Sequence, residues 1–166
     1  MPLKIVQKDI TTMKVDAIVN AANTRLQMGG GVCGAIFRAA GVDELRKACD
    51  QIGHCPVGKA VITDGFRLPA KQIIHTVGPV WQGGHQHEAE LLSSCYKESL
   101  KLAMEHGCRS IAFPVISSGI FGYPKREALQ VAITTIQTFL ETHEIDVYIT
   151  IFDEEMARIS KELLNG

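Results

Sequence analysis

The stretch Asp16-Ala17-Ile18-Val19-Asn20-Ala21-Ala22-Asn23-Thr24-Arg25-Leu26-Gln27-Met28-Gly29-Gly30-Gly31-Val32-Cys33-Gly34 decides the fold. It opens with a short apolar run, Asp16 to Val19, of the kind found in strands covered on both faces. It closes on three consecutive glycines directly before a helical pattern, Val32 to Ala40, that stops at Gly41, a natural residue to follow a helix end. A strand, a glycine-rich loop and a helix in that order form half of a strand–helix–strand unit. The remaining sequence repeats the alternation.

Further strands are expected at Lys4 to Gln7, Ala60 to Thr63, Gln72 to Val77, Ser110 to Val115 and Val147 to Phe152. Helices are expected at Val42 to Ile52 and His87 to His106, the latter with Leu92, Cys95, Tyr96, Leu100 and Ala103 on one face. Another opens near Pro124, with Ala128, Val131, Ala132, Thr135 and Phe139 on its inner face. A last one has Asp153 as its N-cap and Met156, Ile159 and Leu163 at helical spacing. This alternation predicts one domain over residues 1–166, an α/β three-layer α/β/α sandwich. Its central sheet is mixed and largely parallel, with about six strands.

Composition agrees and narrows the function. The 166 residues are 46% hydrophobic and 21% charged, which suits one packed core. Lys+Arg 17 against Asp+Glu 18 leaves a net charge of −1, which excludes a bulk electrostatic hold on nucleic acid. No apolar run is long enough for a membrane helix, and Met1-Pro2-Leu3-Lys4-Ile5-Val6 lacks the apolar core of an export signal. The five cysteines form no Cys-x-x-Cys pair and are expected as reduced thiols in a cytoplasmic chain. A Cys49–Cys55 disulfide is not expected there.

Ligands of parallel sheets sit beyond the carboxyl ends of the strands, so loops that follow strands carry the function. Two stand out. In Gly29-Gly30-Gly31 the main chain can approach a ligand closely and present N–H groups at a helix N-terminus, a phosphate site that needs no Lys or Arg. The second, Ile116-Ser117-Ser118-Gly119-Ile120-Phe121-Gly122-Tyr123-Pro124, also follows a strand and ends at a helix start. Two such loops on one sheet edge suit a pyrophosphate. Gly29, Gly31 and Gly34 also satisfy G-x-G-x-x-G, but Asn20 to Met28 separate the strand from the first glycine, which argues against a dinucleotide-dependent oxidoreductase.

These residues resemble the macrodomain family, whose members bind ADP-ribose. The resemblance rests on Val15 to Asn23, Gly29 to Val32, Ile36 to Gly41, Ile73 to Pro79, Ile111 to Pro114 and Ser117 to Pro124, and it runs in order from about Ile5 to Leu164. The chain is most similar to the MacroD-type group, which hydrolyses O-acetyl-ADP-ribose and removes ADP-ribose from acidic side chains. The resemblance implies that Asp9 takes the adenine amine with Ile10 beside it, and that Phe152 packs on the adenine ring. It implies that Gly30, Gly31 and Val32, with Ser118, Gly119, Ile120, Phe121 and Gly122, hold the diphosphate through main-chain N–H groups. Asn20 and Ser117 belong to the same ligand loops. Phe121 would lie against the distal ribose, and Asn23 would bind its hydroxyls and orient the scissile ester or a water.

Asn23 and the position ten residues on are the expected catalytic pair. The MacroD-type pattern has an aspartate at the second position; this chain has Cys33. Two readings follow: a hydrolase in which a substrate phosphate activates water, or a reader that binds ADP-ribose or mono-ADP-ribosylated proteins without turnover. A catalytic role for the thiol itself is the lesser alternative. No cofactor or metal is expected. His85 and His87 read as solvated and His75 as a core histidine. Trp81 either covers the sheet edge near the ligand or anchors its own loop, and the chain is expected to be a monomer.

Overall fold

The computed structural model describes residues 2–165. In chain order the elements are β1 (Leu3–Val6), a 3-10 turn (Ile10–Thr12), β2 (Ala17–Ala21), α1 (Gly31–Ala40), α2 (Val42–Ile52), β3 (Ala60–Asp64) and β4 (Gln72–Thr76). There follow α3 (Glu88–Glu105), β5 (Ser110–Phe113), α4 (Lys125–Leu140), β6 (Asp146–Thr150) and α5 (Glu154–Asn165). The six strands form one sheet in the order β1-β6-β5-β2-β4-β3. All neighbours are parallel except β3, which runs antiparallel to β4 at the edge.

Both faces of the sheet are covered, as the continuous apolar strands require. Within β2, Ala17 and Val19 join a core formed with α3, α4 and α5, while Ile18 joins a second core formed with α1, α2 and the 3-10 turn. Ile111 and Phe113 alternate with Ala112 in the same way on β5. The result is the three-layer sandwich that the alternation predicts.

Several boundaries differ from the sequence expectation for local reasons. β5 stops at Phe113 because Pro114 has no N–H for the ladder. β6 ends at Thr150, and the Ile151 N–H still donates to the Val6 carbonyl at 3.0 Å as the chain leaves the sheet. Pro124 is the N-cap of α4 and not its first helical residue. Asp153 caps α5 as expected, accepting from the Met156 N–H at 2.7 Å. The 3-10 turn at Ile10–Thr12 has no apolar period to announce it.

Candidate functional site

Parallel pairing sends the loops after β1, β2, β4, β5 and β6 to one edge of the sheet. Beside the central pair β2–β5, strands β4 and β3 lie on one side and β6 and β1 on the other, and the crossover from β4 to β5 passes over β2. Such a switch point opens a crevice. Here the β2–β5 ladder covers only Ala17 and Ile18 against Ile111 and Ala112, so the two carboxyl ends part. A cleft of about 810 Å³ lies beyond them, within the usual range for small-molecule sites. Asn23, Gly29 to Cys33, Ser117 to Phe121, Asp9 and Phe152 all line it.

The loop after β2 is fixed by its own side chains. Asn23 Nδ2 donates to the Gln27 carbonyl at 2.8 Å, and the Gln27 N–H returns to Asn23 Oδ1 at 3.0 Å. The amide retains a second hydrogen and a second lone pair for a ligand. Gly31 opens α1 at φ +55°, a conformation that side chains resist, and leads the first-turn N–H groups toward the cleft. Helix and loop touch closely at Gly34, where an added Cβ would lie 2.6 Å from the Gly29 carbonyl oxygen.

The loop after β5 is held from below by α3. The fully buried Tyr96 hydroxyl donates to the Pro114 carbonyl at 3.2 Å and accepts from the Ile116 N–H at 3.0 Å. Burial pushes the Tyr96 pKa well up, so the hydroxyl keeps its proton. Ser117 then adopts φ +67°, and the N–H of Tyr123 donates back to its carbonyl at 2.9 Å. A non-glycine residue in this region carries strain of order 1–3 kcal/mol, a recurrent feature of ligand clamps. Ile120 at the loop tip is 97% exposed.

Asp9 and Phe152 stand on adjacent segments, because Gln7 Nε2 donates to the Phe152 carbonyl at 3.2 Å. Asp9 Oδ1 accepts from both the N–H and the hydroxyl of Thr11, at 2.9 and 2.7 Å. Phe152 is 59% exposed, an aromatic face left open to the cleft. Lys125 also lines this region, and Glu155 at 2.7 Å with Asp153 at 3.4 Å raises its pKa.

Three of the expected residues do not line the cleft. Ile10 and Asn20 are fully buried behind its wall, and Gly122 lies outside it. Asn20 Nδ2 contacts Cys33 Sγ at 3.6 Å and His75 Nδ1 at 3.1 Å. His75 Nε2 in turn meets the Thr63 hydroxyl at 2.9 Å. Burial lowers the His75 pKa to about 4, so the ring is neutral. His75 is thus the core histidine its strand pattern indicates. Cys33 reaches the cleft wall through its thiol, whose partners are Asn20 and the Gln27 carbonyl at 3.7 Å. Asn20 stands between Cys33 and the imidazole, so the thiol has no direct contact with a base.

Sequence reasoning missed Ala35, Pro114, Lys125, Thr150, Asp153 and Met156 as cleft-lining residues. Pro114 and Thr150 end or follow strands and were findable by that rule; Ala35 and Met156 carry no signal besides helical spacing. Trp81 anchors its loop. Its N–H donates to the Phe121 carbonyl at 2.8 Å, and its ring lies 4.7 Å from that of Tyr123. All five cysteines are buried and unpaired. Among the described residues, no three His, Cys, Asp or Glu side chains are placed to share a metal ion, and no helix is long and apolar enough to cross a membrane.

Comparison with known proteins gives a consistent result. A family model described as Macro domain matches residues 19–132. A macro domain-containing protein of Chlorobaculum tepidum is 62% identical over 135 residues, covering 81% of this chain and 78% of that protein. A Citrobacter rodentium protein named O-acetyl-ADP-ribose deacetylase is 51% identical over 168 residues, covering 98% of this chain and 94% of that one. Among solved structures, the Oceanobacillus iheyensis macrodomain with ADP superposes with a TM-score of 0.93 at 43% identity, covering 98% and 90% of the two chains. The Trypanosoma brucei macrodomain in complex with ADP-ribose gives 0.91 at 38% identity, covering 98% and 68%.

Proposed function

The chain belongs to the macro domain family, and from that premise we propose that it binds ADP-ribose in the cleft and hydrolyses esters at the distal ribose. The substrates would be O-acetyl-ADP-ribose and ADP-ribose carried on acidic side chains. One observation carries the reading: Asp9, Phe152, both glycine loops and Asn23 line a single cleft. The free Asp9 Oδ2 suits the adenine amine, and the exposed Phe152 ring suits a purine face. Main-chain N–H groups at Gly30 to Val32 and Gly119 to Phe121 suit the diphosphate. The relatives named as deacetylases and the neighbours solved with ADP and ADP-ribose support the same assignment.

In this reading catalysis is positioning. Asn23, held by its pair of hydrogen bonds to the Gln27 main chain, orients the ribose, and a diphosphate oxygen directs a water at the ester carbonyl. Water adds to the acyl carbon as it gives a proton to the diphosphate oxygen; the tetrahedral intermediate then expels the ribose oxygen, which takes that proton to become the free hydroxyl, leaving the carboxylic acid. Cys33 packs the wall and positions Gln27. The test is turnover of O-acetyl-ADP-ribose and of a glutamate-linked ADP-ribosyl protein. The wild type should release both products, and Asn23→Ala should lower the rate by at least about 100-fold. An Asn23→Ala rate equal to the wild type would refute the mechanism.

The second reading, a reader without turnover, is favoured by Cys33 itself. A thiol held by an amide and a carbonyl offers no proton acceptor for water. Saturable ADP-ribose binding with no product from either substrate would establish it.

A further inference from the structure

Glu88 is the first residue of α3; its carboxylate is buried, 1% exposed, and among the described residues it makes no ion pair with Lys or Arg. It accepts three main-chain N–H groups instead. Oε2 takes those of Gln82 at 2.8 Å and Gly84 at 3.0 Å, and Oε1 takes that of Gln86 at 2.6 Å. One side chain therefore gathers the whole turn after β4. That turn begins at Trp81, which touches the loop after β5 twice: through its N–H on the Phe121 carbonyl and through its ring on Tyr123. Tyr123 closes the same loop onto Ser117, and Ser117 to Phe121 line the cleft.

We propose that Glu88 is a positioning residue for the diphosphate side of the cleft. Its carboxylate fixes the 82–86 turn, the turn fixes Trp81, and Trp81 holds the N–H groups of the loop after β5 in ligand-ready geometry. The chain of contact is continuous, from Glu88 through the turn and Trp81 to Phe121. Rigidity matters at this place because Ile120 and Phe121 have no sheet hydrogen bonds of their own, and a loop ordered before binding spares the ligand that ordering cost. Burial alone would raise the Glu88 pKa, but the N–H groups of Gln82, Gln86 and Gly84 outweigh it and bring it down to about 2. The anion is therefore present throughout the physiological range.

The role rests on the proposed ligand, so the experiment carries a readout that does not need it. Glu88→Gln keeps the shape but turns an amine toward N–H donors. In that variant amide hydrogen exchange should quicken at both 82–86 and 117–122, and emission of Trp81, the single tryptophan, should shift to longer wavelength. ADP-ribose affinity should fall by about tenfold. Gly84→Ala disturbs the same turn with the Glu88 carboxylate in place, at φ +89° and with its Cβ 3.1 Å from the Trp81 ring, and it should act in the same direction. If Glu88→Gln does not fold, Glu88→Asp, which keeps the charge but shortens its reach to the same N–H groups, is read in the same way. Faster exchange confined to 82–86, with 117–122 protected and affinity unchanged, overturns the proposal. Absence of ADP-ribose binding by the wild type refutes the proposed function, while coupled exchange of the two segments still upholds the positioning role.

Discussion

The Asn20 side-chain amide donates to the sulfur of Cys33 at 3.6 Å, and the same nitrogen lies 3.1 Å from His75 Nδ1. A buried strand residue thus holds the thiol at the position where the resemblance leads one to expect an aspartate. The donor already in place suits a carboxylate better than a thiol.

Cys33→Asp should therefore be accommodated and should supply a base beside the ester. The expected result is a rise in O-acetyl-ADP-ribose turnover of at least about tenfold, at the low end of general-base effects. ADP-ribose affinity should stay within a few-fold. Steady-state kinetics with calorimetry on the same preparation checks both, and an unchanged rate would show that the substrate phosphate already suffices.

Gly34→Ala sets two effects against each other. Alanine favours the helix by up to about 1 kcal/mol, but its Cβ would stand 2.6 Å from the Gly29 carbonyl, which cannot rotate away. The loop must move, so the fold should survive with a small change in Tm while ADP-ribose affinity falls by about tenfold or more. A variant that binds as tightly as the wild type would show that the loop adapts.

Tyr96→Phe removes the hydroxyl that accepts from the Ile116 N–H inside the core. An unpaired buried donor costs about 1–3 kcal/mol, and the midpoint of urea unfolding should fall accordingly. Because the same hydroxyl starts the loop after β5, ligand affinity should fall with it. Unchanged stability would mean that another acceptor replaces it.

Acid should weaken the fold in a defined window. His75 is held neutral, with its pKa lowered by burial to about 4 against an ordinary 6.5. Between these values the unfolded chain binds the extra proton, so stability is complete above about 6.5 and drains away as pH falls toward 4. The loss is about 3 kcal/mol at most. Urea unfolding of the wild type and of His75→Gln across that range checks it. The variant should lose this part of the slope, and parallel curves would contradict the assignment.

Much of this was legible in the residues. The apolar runs around Ile18, Ile74 and Ile111 announce strands buried on both faces, and Gly29 to Gly31 before Val32 announces the loop that lines the cleft. Asp153 reads as a cap and is one. Other features depend on contacts between distant segments. Glu88 looks like an ordinary acid in a helix's first turn, because its partners are main-chain N–H groups that every residue has. His75 is far along the chain from Asn20 and Cys33, and only the parallel register of β2 beside β4 sets Asn20 against His75. Asn20 was expected in contact with ligand for its place in a motif, yet strand alternation turns it into the interior.

The most direct test of the account is calorimetric titration of the chain with ADP-ribose, with ribose 5-phosphate and Asp9→Ala as controls. Saturable one-site binding of ADP-ribose is expected, weakened in Asp9→Ala, with ribose 5-phosphate binding the same in both proteins. No binding of ADP-ribose, or an equal loss for both ligands in Asp9→Ala, would contradict it.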